Sequence, residues 1–276
     1  MTPRFSWLIA PAVVFLLVVY VLPLAMTLQA PFQPGLAAGA QAVWAALADP
    51  GYQRVLLNTF QISLVVTVAA VLLGYPTAYF LSRLPRERAG KYLLMVMFPL
   101  LTSLLVRTYA WIALLQDSGI VNSALIGAGL TNQPVHLMYN AFGTVVGMGQ
   151  ILLPYAIITM YGVMVGIKPR LLQTAQVLGA SPMRAFWTVF FPLSLPGLSA
   201  AALLVFIMGL GYFVTPALMG GRGQTMIGVL IQQEVFTLSD WDMAAILSLI
   251  LLVLTLVLLA VYSRFARLDQ LVPVTR

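Results

Sequence analysis

Charge-free apolar runs recur through this chain, and each is long enough to matter. Six stand out: Phe5–Leu28, Val55–Leu81, Tyr92–Leu115, Met138–Ile167, Phe190–Leu218 and Met243–Ser263. A helix covers the hydrocarbon core of a bilayer with about 20 apolar residues. Lipid offers no hydrogen bond to a peptide group, so runs like these fold as helices. The composition agrees: 61% of residues are hydrophobic and 8% are charged, whereas a soluble domain carries about 25% charged residues. The expected class is therefore an all-α membrane protein. It has six transmembrane helices in one domain over residues 1–276, with the lipid bilayer as solvent. The first run is too long for the apolar core of a secretory signal, and no small-x-small cleavage site follows it cleanly. It reads as a retained helix.

The net charge of +7 does not indicate nucleic acid, because the charges sit in short loops between the runs. Arg4, then Arg83, Arg86, Arg88 and Lys91, then Lys168, Arg170 and Arg184, then Arg264, Arg267 and Arg276 fall on one side. Arg54 and Arg222 fall on the other, with Asp49, Asp117, Glu234, Asp240 and Asp242. The basic side is expected to be cytoplasmic. Both termini then lie in the cytoplasm, as an even number of crossings requires.

Several chemistries are excluded. The chain has no cysteine, which removes thiol catalysis, thiolate metal sites and disulfides. His136 is the single histidine, and no His/Cys/Asp cluster suggests a metal. Lys91 and Lys168 are the only lysines, and neither lies in a phosphate-binding glycine loop. No nucleophile is paired with a base. The chain is expected to bind no cofactor and to catalyse no reaction itself.

The polar-bearing stretch Leu171–Gly197 interrupts this apolar pattern. Pro169 suits the first turn of a helix. Leu171, Leu172, Ala175 and Leu178 follow at helical spacing, and Gly179 suits a left-handed C-cap. Ser181 and Pro182 suit the N-cap and first residue of a second helix. Met183, Phe186, Trp187 and Phe190 would line its apolar face, and Pro192 and Pro196 would interrupt entry into the fifth span. The pattern predicts two short helices around a compact corner, held at the membrane surface with one face toward the spans. An ordinary interfacial linker would share much of it.

These residues also resemble a known signature. Gln173, Thr174 and Ala175, then Gly179, are similar to the EAA-x3-G motif of type I ABC importer permeases. Ala180-Ser181-Pro182, Arg184-Ala185-Phe186 and Phe191–Gly197 continue the likeness. Leu105–Trp111 with Asn122, and Val214–Gly221 with Met226-Ile227 and Leu230–Gln233, resemble the polyamine branch of that family. The resemblance implies a MetI-like permease fold in a bacterial cytoplasmic (inner) membrane. It implies a cytoplasmic coupling helix that docks into an ATPase subunit through Gln173, Thr174, Ala175, Gly179, Ala180, Ser181, Pro182, Arg184 and Phe186. It further implies two ATPase subunits that carry ATP and Mg2+, a second permease subunit (identical or, more in keeping with the family, paralogous) and a periplasmic or extracellular solute-binding protein. The family commonly has Glu where this chain has Gln173, and Ala where it has Thr174. A charge-assisted contact would then become a neutral hydrogen bond, about half as strong.

A substrate path leaves fainter marks. Arg107 is the one formal charge deep in a span. On a straight helix it would stand about 24 Å beyond Lys91, where a lone charge in lipid costs several kcal/mol. It would line the path, or pair with Asp117, an acid of the last outer loop or helix-end carbonyls. Tyr109, Trp111 and Tyr212 are further candidates because aromatic faces hold ammonium groups, although such residues also simply pack helices. Asn140, Gln150 and Tyr155 are read the same way. Glu234, Asp240 and Asp242 form an acidic outer loop that would attract a cation, or would merely be solvated. A short helix over Ala37–Ala48 is expected to lie along the outer rim. The expected solute is small and polar, polyamine-like by resemblance and by the outer acids. Importers of another small solute (opine, amino acid derivative, iron or thiamine) share the signature. An ion-coupled carrier is the alternative class, but such carriers place acids near the bilayer midplane, and the spans here contain none.

Overall fold

The computed structural model describes residues 10–269. Helices long and apolar enough to span a membrane run over Pro11–Phe32, Pro50–Arg83, Ala141–Met164, Pro182–Leu210 and Trp241–Arg264. The Phe5–Ile9 part of the first expected run, Arg4 and Arg276 lie outside the described residues. A short helix covers Leu36–Ala48. The described chain divides into two compact units. One joins residues up to Arg54 with Leu230–Leu256, and the other joins Val55–Val229 with residues from Val257 on.

The third apolar run departs from the expected straight helix. Arg86–Leu101 and Leu104–Gly127 meet at a bend of 90°. Pro99 explains the place: its ring removes an N–H and crowds the preceding turn. The chain tightens into a 3-10 turn over Phe98–Leu101 and extends at Thr102. Thr102 closes the break locally, its hydroxyl donating to the Pro99 carbonyl at 2.8 Å. The straight-helix height expected for Arg107 therefore does not apply, because Arg107 sits beyond the bend.

The fifth run also differs. Pro192 and Pro196 do not interrupt it, and the helix continues from Pro182 to Leu210. A wide π-turn over Phe186–Phe190 precedes Pro192. In that turn the Phe191 N–H reaches the Phe186 carbonyl, five residues back. The wider turn gives the Pro192 ring room where a regular turn would crowd it. The helix stops at Gly211, and Val214–Met219 forms a separate short helix.

Small residues set the spacing in the larger unit. A Cβ built on Gly197 would lie 2.7 Å from Val163 Cβ, and one on Gly74 would lie 2.9 Å from Met160 Cε. One on Gly209 would approach Ser63 Oγ to 3.1 Å. Lipid gives helices no hydrophobic drive to associate, so close backbone approach carries the attraction. The buried core runs through Val66, Met148, Leu152, Met160, Phe190 and Val205. Tyr75 and Ser194 add a hydroxyl pair at 2.8 Å between the Pro50–Arg83 and Pro182–Leu210 helices. Gly197→Leu should overpack the contact with Val163, costing about 1–3 kcal/mol. A lower thermal midpoint in detergent, partly restored by adding Val163→Ala, is the expected result.

Candidate functional site

The corner expected near Gly179 is present, and backbone geometry builds it. Pro169–Val177 is helical with Pro169 in its first turn. At its end the Gly179 N–H donates to the Gln176 carbonyl at 2.9 Å, and the Ala180 N–H donates to the Ala175 carbonyl at 3.0 Å. This is a Schellman closure, which satisfies carbonyls that the helix end would otherwise strand. Gly179 takes φ +91°, a left-handed value, and nothing lies within 4 Å of where its Cβ would be. Its requirement is conformational alone. Ser181 then caps the next helix, its Oγ accepting from the Arg184 N–H at 3.3 Å, with Pro182 in the first turn.

The two faces of the corner differ from expectation in part. Leu172, Phe186 and Phe190 pack inward, with Phe190 fully buried. Ala175 is half-buried and Ala185 is fully buried. Leu178 does not join them: it is 82% exposed, beside Val177 at 87% and Met183 at 68%. Leu171 and Trp187 are also exposed. Leu178 lies seven positions after Leu171, on the same exposed side of the helix, while the inward side is the one that Leu172 marks. Gln173 and Thr174 are exposed. They line a shallow depression of about 360 Å³ with Arg170, Val177 and Leu178. The Thr174 hydroxyl donates back to the Arg170 carbonyl at 2.9 Å, which leaves Gln173 the free polar side chain of the pair. Ala180, Ser181, Pro182 and Arg184 continue the rim, all but Ala180 well exposed.

The path candidates differ in their surroundings. Arg107 is half-buried, and its Nε and Nη1 are buried without a hydrogen-bond partner. Asp117 does not pair with it, because that carboxylate instead meets His136 Nδ1 at 3.1 Å on the surface. Tyr212 is half-buried, just past the end of the Pro182–Leu210 helix. Tyr109 is exposed. Trp111 joins Gln150, Leu73, Met95 and Leu153 around a cavity of about 520 Å³ that is almost wholly apolar. Gln150 Oε1 is buried there without a partner. Asn140 is a helix cap: its Oδ1 accepts from the Gly143 N–H at 3.0 Å as the N-cap of Ala141–Met164.

A second cavity, also about 520 Å³, is lined by Asn58, Gln61, Phe142 and Gln224. Sequence reasoning passed over these amides. Their signal is modest: Asn58 and Gln61 lie three apart on one helix face. The Gly223 carbonyl accepts from Asn58 Nδ2 at 3.1 Å, and Thr59 Oγ accepts from the Ile227 N–H at 2.7 Å. The turn around Gly223 is thus pinned to the Pro50–Arg83 helix.

The three outer acids do not form one solvated set. Asp240 caps the last helix, its Oδ1 accepting from the Met243 N–H at 2.9 Å. Asp242 is exposed, but Glu234 is buried. Burial, then Asp240 nearby, pushes the Glu234 carboxyl above the ordinary range.

Comparison with known proteins places this geometry. Residues 70–268 match the family described as "Binding-protein-dependent transport system inner membrane component". The chain belongs to this family. The spermidine/putrescine transport system permease protein PotB of Escherichia coli K12 is 33% identical over 222 residues, covering 80% of this chain and 81% of that protein. PotB of Salmonella typhimurium SL1344 is 33% identical over 225 residues, covering 82% and 78%. A bacterial alginate ABC transporter, solved with an alginate pentasaccharide-bound periplasmic protein, shares the fold. Its TM-score is 0.74 at 19% identity, with 96% of this chain and 95% of that one covered. This permease is thus a multi-pass inner-membrane subunit of an ABC importer. As in the rest of the family, its part is the membrane passage, with no cofactor of its own.

Two outcomes test the geometry directly. Gly179→Val forces a β-branched residue into left-handed backbone, a strain of about 1–3 kcal/mol. Limited trypsinolysis should then cut faster at Arg170 and Arg184, while Gly179→Asn should stay near the parent rate. For Glu234, a raised folded-state pKa means the native chain holds its proton to higher pH than the unfolded chain. Stability then falls as pH rises from the ordinary carboxylate value through the raised one. Glu234→Gln should raise the thermal midpoint above that window and leave it unchanged below.

Proposed function

We propose that this permease couples ATP hydrolysis on a separate subunit to uptake of a polyamine-like solute. The observation that carries the reading is the corner at Gly179. It presents Val177, Leu178 and Met183 to solvent on a backbone-locked turn. An inward-folded linker would bury such side chains. Burying a Val or Leu against a partner stabilises the contact by about 1.5–3 kcal/mol each, ample for a docking peg. Gln173, Thr174, Ala175, Gly179, Ala180, Ser181, Pro182, Arg184 and Phe186 form this ATPase-coupling site. Gln173 supplies its neutral polar anchor.

The assembly holds two ATPases that bind ATP and Mg2+, this chain and a second, paralogous permease, with a soluble binding protein on the outer face. Both termini are cytoplasmic, as the basic loops require. The spans form a single permease domain. ATP-driven closure of the ATPases moves the corner and switches the path between inward and outward access. The substrate class rests on the PotB relatives. The fold is shared with an alginate transporter, so it does not choose among solutes. Arg107, Tyr109, Trp111, Tyr212, Glu234, Asp240 and Asp242 are the path candidates, and Trp111 lies on a cavity wall.

Mild-detergent purification from the native membrane should recover an ATPase and a second permease with this chain. Val177→Asp with Leu178→Asp should weaken ATPase recovery on the order of 100-fold, whereas Gln173→Glu should leave it intact or improved. Proteoliposomes of the complex, given the binding protein and radiolabelled spermidine, should accumulate label only with ATP. Recovery of the chain alone, still competent for uptake, would overturn the importer reading for this corner.

A further inference from the structure

One charged residue near the corner has more structure around it than a topology signal needs. Arg83 ends the Pro50–Arg83 helix, in the basic loop whose charges set orientation. A topology charge has only to lie in water on the correct side. Arg83 instead folds back onto rings. Its guanidinium carbon lies 4.5 Å from the ring centre of Phe190 and 5.3 Å from that of Tyr79. Its Nε and Nη2 are buried without a hydrogen-bond partner. Tyr79 and Phe190 meet edge-on at 4.8 Å, and Tyr79 meets Phe186 at 5.2 Å. Phe186 and Phe190 are the first and last residues of the π-turn that leaves the corner.

We propose that Arg83 is a positioning residue that ties the Pro50–Arg83 helix to the π-turn, so that movement of the corner reaches that helix. The inference rests on the coupling role proposed for the corner. Three features fit a joint that moves. A π-turn has one residue more than a regular turn and can be rewound without breaking the helix, and such turns gather at functional sites. A guanidinium over aromatic faces has a broad range of good positions, unlike a bidentate carboxylate pair with its fixed fork. The cluster also lies at the end of the contact between the two helices. One level deeper, Tyr75 and Ser194 join the same helices at 2.8 Å. A pull on the π-turn therefore acts on the end of the Pro50–Arg83 helix while a fixed bond holds it farther in.

The chain has no cysteine, so a single introduced thiol reports movement cleanly. Gln61→Cys places it on the cavity wall near the other end of the same helix. The test uses the native complex with its ATPases and measures maleimide labelling at Cys with and without ATP plus vanadate. No transported solute is needed. In the Arg83 parent, ATP should change the labelling rate about 5-fold or more. Adding Arg83→Gln should abolish most of that change while ATPase recovery and ATP hydrolysis stay within about 2-fold, since the corner itself is untouched. Arg83→Lys should fall between the two, whereas a purely topological charge would make Lys equal to Arg. Phe190→Leu should reproduce the Arg83→Gln result, and the double variant should lose no more than the worse single. This last comparison holds the inference to account if one variant folds poorly. An unchanged ATP response in Arg83→Gln overturns the role of Arg83, as does additive loss in the double variant. No ATP response in the parent also overturns it, because the helix would then not follow the ATPases. Failure of the parent to bring an ATPase through purification removes the corner reading itself, and Arg83 falls with it.

Discussion

Lipid cannot hydrogen-bond a peptide group, and that single lack decides where this chain can change direction. Every break in a helix strands N–H and C=O groups, and at several breaks the structure supplies local partners. Thr102 closes the bend in the third run by bonding back to Pro99. Asn140 caps the helix that crosses next. Asn122, fully buried, holds the loop between them by exchanging bonds with the Val135 backbone at 2.8 and 3.0 Å. The Schellman closure at Gly179 and the Ser181 cap complete the series. These polar side chains are the means by which an apolar chain turns corners.

Much of this was legible in the residues. The apolar runs mark the helices because length and freedom from charge are the physical requirements for crossing. The Gly179–Pro182 corner is legible because φ +91° and a helix N-cap each demand particular residue types. Side-chain direction was less legible. Leu171 and Leu178 repeat at seven positions and both stay exposed, because the inward side is the one that Leu172 marks, and periodicity finds an apolar stripe without saying which of its edges is covered. Pro192 and Pro196 suggest interruption, but the π-turn before them absorbs the clash without ending the helix. The bend at Thr102–Ser103 was hidden because an apolar run reads alike whether straight or broken.

The path candidates were the least legible, for a different reason. A charge or ring within a span marks a place that needs explanation without naming its partner. Asp117 chose His136 over Arg107 because the two meet on the surface, 19 positions apart. Glu234 and Asp240 look equivalent as sequence, yet one is buried and one caps a helix. The amides Asn58, Gln61 and Gln224, which line a cavity, had no charge to draw attention to them.

The corner is shaped by main-chain bonds, one glycine and one serine, while the residues it displays to solvent take little part in holding it. Shape and identity are therefore separable there. Gln173 takes no part in those bonds, so exchanging it would refold nothing. A substitution at Val177 or Met183 would alter which surface is recognised while leaving the turn intact. Gene duplication followed by drift at a few displayed positions would thus suffice to re-address such a subunit to a different motor, while the glycine and serine beneath stayed fixed.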